Sequence, residues 1–260
     1  MGTYLDRILA AHRAAASADH RDLDGLVAAA RAAPPTRGFA RALAAEPGVS
    51  VIAEVKRASP SRGALAADLD PAGLAAAYES GGAACLSVLT DVEFFSGSPG
   101  DLSAARAASR LPVLRKDFTV GPADVCDARL IGADAVLLIA AALSPLELEE
   151  LAGLAAQLGI DALVEVHDEE EAAVALAAGA TLVGVNQRDL VTFEVDTTRA
   201  ERVASALPEG VVAVAESGIR GPQDLSRLAA AGFDAVLVGE ALVTSPDPAG
   251  AVAALREAGR

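Results

Sequence analysis

Lysine is almost missing from this chain. Of its 21 basic residues, two are lysines, Lys56 and Lys116, and the other 19 are arginines. Arginine serves wherever any cation will do, but it neither titrates near neutral pH nor presents a compact, proton-donating ammonium. The two remaining lysines are therefore candidates for chemistry. Cysteine is equally scarce. Cys85 and Cys126 lie far apart with no Cys-x-x-Cys spacing, each inside an apolar segment, and read as buried free thiols in a reducing compartment, the cytoplasm. His12, His20 and His167 form no ligand spacing, so no metal site is expected. The longest uncharged apolar run, Ala135 to Leu143, falls far short of the ~20 residues of a membrane helix. Asp6 and Arg7 interrupt what would have to be a signal-peptide core.

The charge is one-sided. A formal net charge of −15 opposes general binding to nucleic acid or to anionic membranes. A small anionic substrate remains possible if it meets a sheltered, locally positive site, for which Lys56, Arg57, Arg62, Arg115 and Lys116 are the available cations. Hydrophobic content of 52% with 22% charged residues indicates a well-buried globular core.

From Val51 onward one unit recurs: a short β-branched run, a polar loop, an alanine-rich helix and a glycine that stops it. Gly82, Gly132, Gly159, Gly179 and Gly232 stand just after helices, where a left-handed cap is needed. Asp70-Pro71, Ser98-Pro99 and Ser144-Pro145 place a capping side chain before a proline at helix starts. Strands are predicted near 51–56, 84–89, 112–116, 134–139, 161–166, 181–186, 211–216 and 234–239, each followed by a helix. Eight alternating units imply one closed (β/α)8 TIM barrel over 49–260. No Gly-x-Gly-x-x-Gly follows the first strand, which argues against an open dinucleotide-binding sheet. Residues 1–48, punctuated by Pro34-Pro35 and Pro47-Gly48, read as an N-terminal helical extension packed on the barrel, with apolar stripes at Leu5, Ile8 and Leu9, then Leu23, Leu26 and Val27, then Phe39 and Leu43.

Barrel enzymes place their chemistry at the carboxyl ends of the strands. Strand alternation puts Ile52, Glu54 and Lys56 on one face of the first strand. The third ends in Lys116, the fifth in Glu165, the sixth in Asn186 with Arg188 following, and the seventh in Glu216 and Ser217. The competing reading of any one of these is a solvated loop residue or surface ion pair. After the last two strands, Ser217-Gly218-Ile219 and Gly239-Glu240-Ala241 resemble a phosphate site, where glycine lets backbone amides approach oxygen closely.

Several stretches together resemble the indole-3-glycerol phosphate synthase family over the whole chain. They are 52–61, 86–90 with 94–97, 114–118, 163–167, 184–190, 215–219 and 238–240. The resemblance implies a phosphorylated anionic substrate, 1-(2-carboxyphenylamino)-1-deoxyribulose 5-phosphate, which closes a ring, loses carbon dioxide and then water. It implies a carboxy-lyase of tryptophan biosynthesis, with no cofactor because the amino-substituted ring is its own electron source. Lys116 is then the acid for ring closure, and Glu165, with Glu54 close by, the carboxylate for the charge on ring and nitrogen. Lys56 with Glu54 or Glu165 serves dehydration, or anchors the substrate carboxylate. Ser59, Asn186, Arg188, Glu216 and Ser217 orient the substrate, Phe94, Leu114 and Leu137 wall its ring, and Gly218, Gly239 and Glu240 hold phosphate. At Glu240, where some members carry serine, backbone contact alone is expected. The resemblance also implies an extension near the pocket, so that 1–45 would matter for binding more than for folding. A monomer with no nucleic-acid or membrane partner is expected. The alternatives are a phosphoribosyl isomerase on a similar barrel and a non-catalytic sugar-phosphate binder.

Overall fold

The computed structural model describes residues 3–45, 48–60, 62–189 and 191–260. Pro47, Ser61 and Leu190, which enter the punctuation and stretches above, lie outside the described residues. Eight parallel strands close into a barrel: β1 (Ser50–Val55), β2 (Cys85–Leu89), β3 (Val113–Lys116), β4 (Ala135–Ile139), β5 (Asp161–Val166), β6 (Leu182–Asn186), β7 (Val212–Glu216) and β8 (Ala235–Val238). Each strand pairs with its neighbour in sequence, and Ala53 opposite Val238 shuts the ring.

Three helices precede the barrel, α1 (Tyr4–Ser17), α2 (Leu23–Ala32) and α3 (Phe39–Leu43). Around it lie α4 (Pro71–Gly81), α5 (Pro99–Ala108), α6 (Pro122–Leu130), α7 (Pro145–Leu158), α8 (Glu169–Ala177), α9 (Arg199–Ala204), α10 (Pro222–Ala230), α11 (Glu240–Val243) and α12 (Pro248–Ala258). Their boundaries follow the local chemistry. Asp70, Ser98 and Ser144 each accept a backbone N–H of the first turn. The five predicted stop glycines all have positive φ.

Alternation along the strands divides the core in two. Val51, Ala53 and Val55 face outward to the helices, together with Val88 and Val164. Ile52, Cys85, Leu114, Leu137, Leu163, Leu182 and Leu237 fill the barrel interior. The two cysteines are free and buried, Cys85 inside the barrel and Cys126 beneath the outer helices.

The extension does not behave as one appended unit. α1 lies across the mouth formed by the strands' carboxyl ends, where Tyr4 meets Phe94 and Phe193 edge-on, with centroids 5.9 and 5.6 Å apart. α2 runs down the outside against α6, with Leu26 and Val27 packed on the outer core. α3 plugs the opposite end, because Phe39 and Leu43 are fully buried members of the interior cluster. Asp161 accepts the Ala40 N–H at 2.9 Å and Asp134 accepts the Arg37 N–H at 2.7 Å, which satisfies the chain entering the plug. Within 1–45, expected to serve binding more than folding, α3 thus lies away from the mouth, with side chains that complete the interior.

Candidate active site

At the mouth, the inner faces of five strands converge. The Lys116 ammonium donates to Glu165 Oε2 at 2.6 Å and to Glu216 Oε2 at 2.9 Å. Lys56 pairs with Glu54 on the same face of β1. Asn186 donates its amide to Glu165 Oε1 at 3.0 Å, while its carbonyl accepts from the Ser217 hydroxyl at 2.8 Å and the Arg188 N–H at 3.0 Å. The three carboxylates and Asn186 are buried, so both lysines are held in place by groups that are themselves fixed.

Burial opposes charge on each of these groups, and the close pairs decide the outcome. For Lys116, the carboxylates of Glu165, Glu216 and Glu54 outweigh desolvation and raise its pKa above the usual lysine value. For Glu165, the cations Lys116 and His167 outweigh burial and hold its carboxyl below the usual range. Glu216 goes the other way: burial, reinforced by Glu165 and Glu54, pushes its carboxyl up despite Lys116. One site thus holds a firmly ionised carboxylate, a carboxyl closer to neutral pH and a shared ammonium, a division suited to proton transfer.

These side chains line a cavity of about 470 Å³, within the range of small-molecule sites. Leu89, Phe95, Phe118, Leu137, Ile139 and Leu237 form apolar wall, and Tyr4, Leu5 and Ile8 of α1 contribute the roof. Ser59, Arg62, Arg188, Ser217, Gly218 and Gly239 border the same space. Ser217 and Gly218 adopt consecutive left-handed conformations, φ 66° and 73°, which serine tolerates poorly. A Cβ on Gly239 would run into the Glu54 carboxylate, so glycine is what lets the start of α11 approach Glu54 and Lys56. Glu240 pairs its carboxylate with Arg62 at 2.6 Å, and both residues line the cavity.

Four expected placements are corrected. Leu114 shares the inner face of β3 with Lys116 but lies one pleat deeper, inside the closed core, and does not line the cavity. Phe95 lines the cavity where Phe94 was expected; Phe94 packs on Tyr4 instead. Arg57 points outward to Asp101 at 3.0 Å and the Leu69 carbonyl at 2.6 Å. Arg115 points outward to Asp117 at 3.0 Å and the Asp124 carbonyl at 2.9 Å. Both arginines sit next to a lysine in sequence, and alternation sends neighbours to opposite faces. Arg188 and Arg220 line the cavity in their place. Of the residues not anticipated, Phe118, Ile139 and Leu237 continue the inner-face period of their strands and were legible from it. Phe95 lies in a loop without a period.

The histidines also defy their sequence spacing. His12 Nε2 lies 2.9 Å from Asp91 and 3.9 Å from Asp117, three residues whose ligand-type atoms fall within 4.8 Å of one another. Asp91 has His12 beside it and Asp117 has Arg115, so the group is balanced as an ion-pair cluster that fastens α1 to the loops after β2 and β3. The hydrogen bond to Asp91, with the charges of Asp117 and Asp91, raises the His12 pKa above 6.5 against the effect of burial. The contribution of this ion pair to holding α1 is then fully present below about pH 6.5 and is lost as pH rises through the raised value. We expect KM to climb across that interval in the wild type and to be flat in His12→Asn. Michaelis constants measured across that interval check this, and parallel profiles for the two proteins would contradict it.

A closed parallel barrel whose strand ends carry an ammonium–carboxylate network beside a phosphate-type turn is the architecture of a barrel enzyme acting on a small phosphorylated molecule. Comparison with known proteins narrows the class. The family model for indole-3-glycerol phosphate synthase matches residues 5–255. The chain is 56% identical to the indole-3-glycerol phosphate synthase of Mycobacteroides abscessus, over 99% of this chain and 95% of that protein. It is 55% identical to that of Rhodococcus jostii, over 99% and 96% respectively. Among solved structures, thiamine phosphate pyrophosphorylase from Pyrococcus furiosus has a TM-score of 0.61 at 17% identity, covering 81% of this chain and 94% of that one, a likeness of fold alone. The chain belongs to the indole-3-glycerol phosphate synthase family.

Proposed function

We propose that this chain converts 1-(2-carboxyphenylamino)-1-deoxyribulose 5-phosphate into indole-3-glycerol phosphate, the ring-closing step of tryptophan biosynthesis. The observation that carries the mechanism is the Lys116 ammonium shared between Glu165 and Glu216 inside the cavity. When the aromatic carbon attacks the ketone, the developing alkoxide takes a proton from Lys116. Positive charge then appears on the ring and its nitrogen, and ionised Glu165, with Glu54 near, stabilises it until carbon dioxide leaves. Dehydration needs an acid for the departing hydroxyl and a base for a ring proton, roles for Lys56 and for Glu54 or Glu165. Asn186, Arg188, Ser217 and Ser59 orient the substrate, Leu137 and Phe95 wall its ring, and α1 covers it.

The assay is direct. The chain has no tryptophan, so indole fluorescence rises from a low background when enzyme and substrate are mixed. A phosphoribosyl isomerase or a barrel that only binds sugar phosphate would give no such rise. We further propose a monomer in the cytoplasm with no nucleic-acid partner. The free buried thiols support the compartment, and the net charge of −15 the absence of a nucleic-acid partner. No described helix is long and apolar enough to cross a membrane. Sedimentation as a dimer would overturn the first part.

Backbone amides around Gly218 and Gly239 hold the phosphate in this reading. A side chain at Gly218 would be strained at φ 73°, and its Cβ would lie 2.6 Å from Val195. Gly218→Val is expected to weaken phosphate-bearing ligands selectively. Titration of inorganic phosphate and of a dephosphorylated substrate analogue against both proteins separates the cases, since equal losses for both ligands mean general misfolding.

A further inference from the structure

His167 continues the inner-face period of β5, following Leu163 and Glu165. Its Nδ1 lies 3.0 Å from Glu171 Oε2, and the same oxygen accepts its backbone N–H at 2.7 Å. Glu171 sits in the first turn of α8, where a carboxylate is favoured, and its own N–H is capped by Asp168 at 2.8 Å. The other ring nitrogen is the anomaly. Nε2 is buried with no hydrogen-bond partner, yet it stands 3.8 Å from Glu165 Oε1. A buried polar atom left unpaired costs free energy, and such an atom beside a reacting carboxylate calls for a functional account.

His167 does not line the cavity, so any effect on the reaction runs through Glu165. At rest Glu165 is fully served, with Lys116 on Oε2 and Asn186 on Oε1. That changes during turnover. Once Lys116 has passed its proton to the alkoxide it is neutral, and the buried Glu165 has lost its nearest cation when the ring nitrogen most needs a carboxylate. We propose that His167 is a positioning residue that acts as a standby cation: pinned by Glu171, its imidazolium keeps Glu165 ionised and oriented while Lys116 is uncharged.

This rests on the reading of Lys116 as donor and Glu165 as charge stabiliser. The groups that face His167 are Glu165 on its own strand, Glu171 on α8 and Arg199 on α9. Burial and Arg199 oppose protonation, but the hydrogen bond to Glu171 and the charges of Glu165 and Glu171 prevail and raise its pKa above 6.5. The standby charge is accordingly present below about pH 6.5 and disappears as pH rises through the raised value.

Two measurements test this. The first is kcat and KM for wild type, His167→Gln and Glu171→Gln from about pH 6 to about pH 9. Glutamine keeps a polar side chain at His167, and circular dichroism verifies that the fold is intact. At low pH, His167→Gln should lower kcat by about tenfold, the factor equivalent to one pKa unit of lost electrostatic support for ionised Glu165 while Lys116 is neutral, with KM nearly unchanged. The gap should close as pH rises and the wild-type imidazole loses its proton. In Glu171→Gln the gap should close at lower pH, because the main support for protonation is gone. A wild-type to His167→Gln ratio that stays constant with pH would overturn the proposal, as would equal kcat for both.

The second measurement is independent of turnover. NMR of 15N-histidine-labelled protein follows the His167 titration, and Glu165→Gln should lower its pKa. An unchanged titration would overturn the pairing itself. If the wild type forms no indole-3-glycerol phosphate, the assignment of the reaction falls and this role with it, while the NMR result still reports whether the two groups are coupled.

Discussion

Lys116→Arg is expected to lower turnover by roughly 10²- to 10⁴-fold, the usual cost of losing general acid catalysis. The substitution keeps the charge between Glu165 and Glu216, but a guanidinium with a pKa above about 12 does not release a proton on the catalytic timescale. Ligand affinity should change far less, because an anion still meets a cation. Lys56→Arg provides the contrast. It pairs with Glu54 and borders the cavity close to Gly239, so binding and rate should both suffer. Single-turnover rates with ligand dissociation constants separate the two. A Lys116→Arg enzyme within about tenfold of wild type would show that the proton comes from another group.

Phe39→Ala should have the largest effect on stability, about 3–5 kcal/mol, as expected for emptying a fully buried aromatic site. That is a large share of the ~5–15 kcal/mol that typically separates folded from unfolded domains. The side chain closes the end of the barrel opposite Lys116, so the residual folded enzyme should keep its kcat and KM. Urea unfolding reads the first effect as a lowered midpoint at constant slope. An unchanged midpoint would mean that α3 is merely laid against the barrel.

These two residues illustrate what was legible in the sequence. The strand period alone sets Ile52, Glu54 and Lys56 inward and leaves Arg57 outward, and it places Glu165 facing Lys116 once eight strands close. Helix ends were legible for a similar reason, since a capping aspartate or serine and a left-handed glycine act on their own few residues. Depth along the barrel was not. Leu114 and Lys116 share a face, and only the closed geometry assigns one to core and the other to cavity. Contacts across long stretches of chain were hidden as well: Phe39 in the interior, His12 on Asp91, and Arg220 in the cavity lining. No local pattern encodes them, because each depends on where a distant loop or strand finally lies. The separation of Phe94 from Phe95 turns on one residue in an aperiodic loop.

The strap from mouth to base has a consequence for synthesis. Tyr4 settles against Phe193, which leaves the ribosome about 190 residues later. At ~5–20 residues per second this is a wait of roughly 10 to 40 s. Until Ala235–Val238 arrives, β1 keeps an unpaired edge, an invitation to strand pairing with other chains. During that wait Phe39 and Leu43 can enter only an incomplete ring. Nascent chains stalled before residue 235 should therefore be cut readily by protease between α1 and α3 and should aggregate when released, whereas chains stalled far enough past residue 260 to clear the exit tunnel should resist. Resistance at the earlier stall would mean that an open ring already grips its strap.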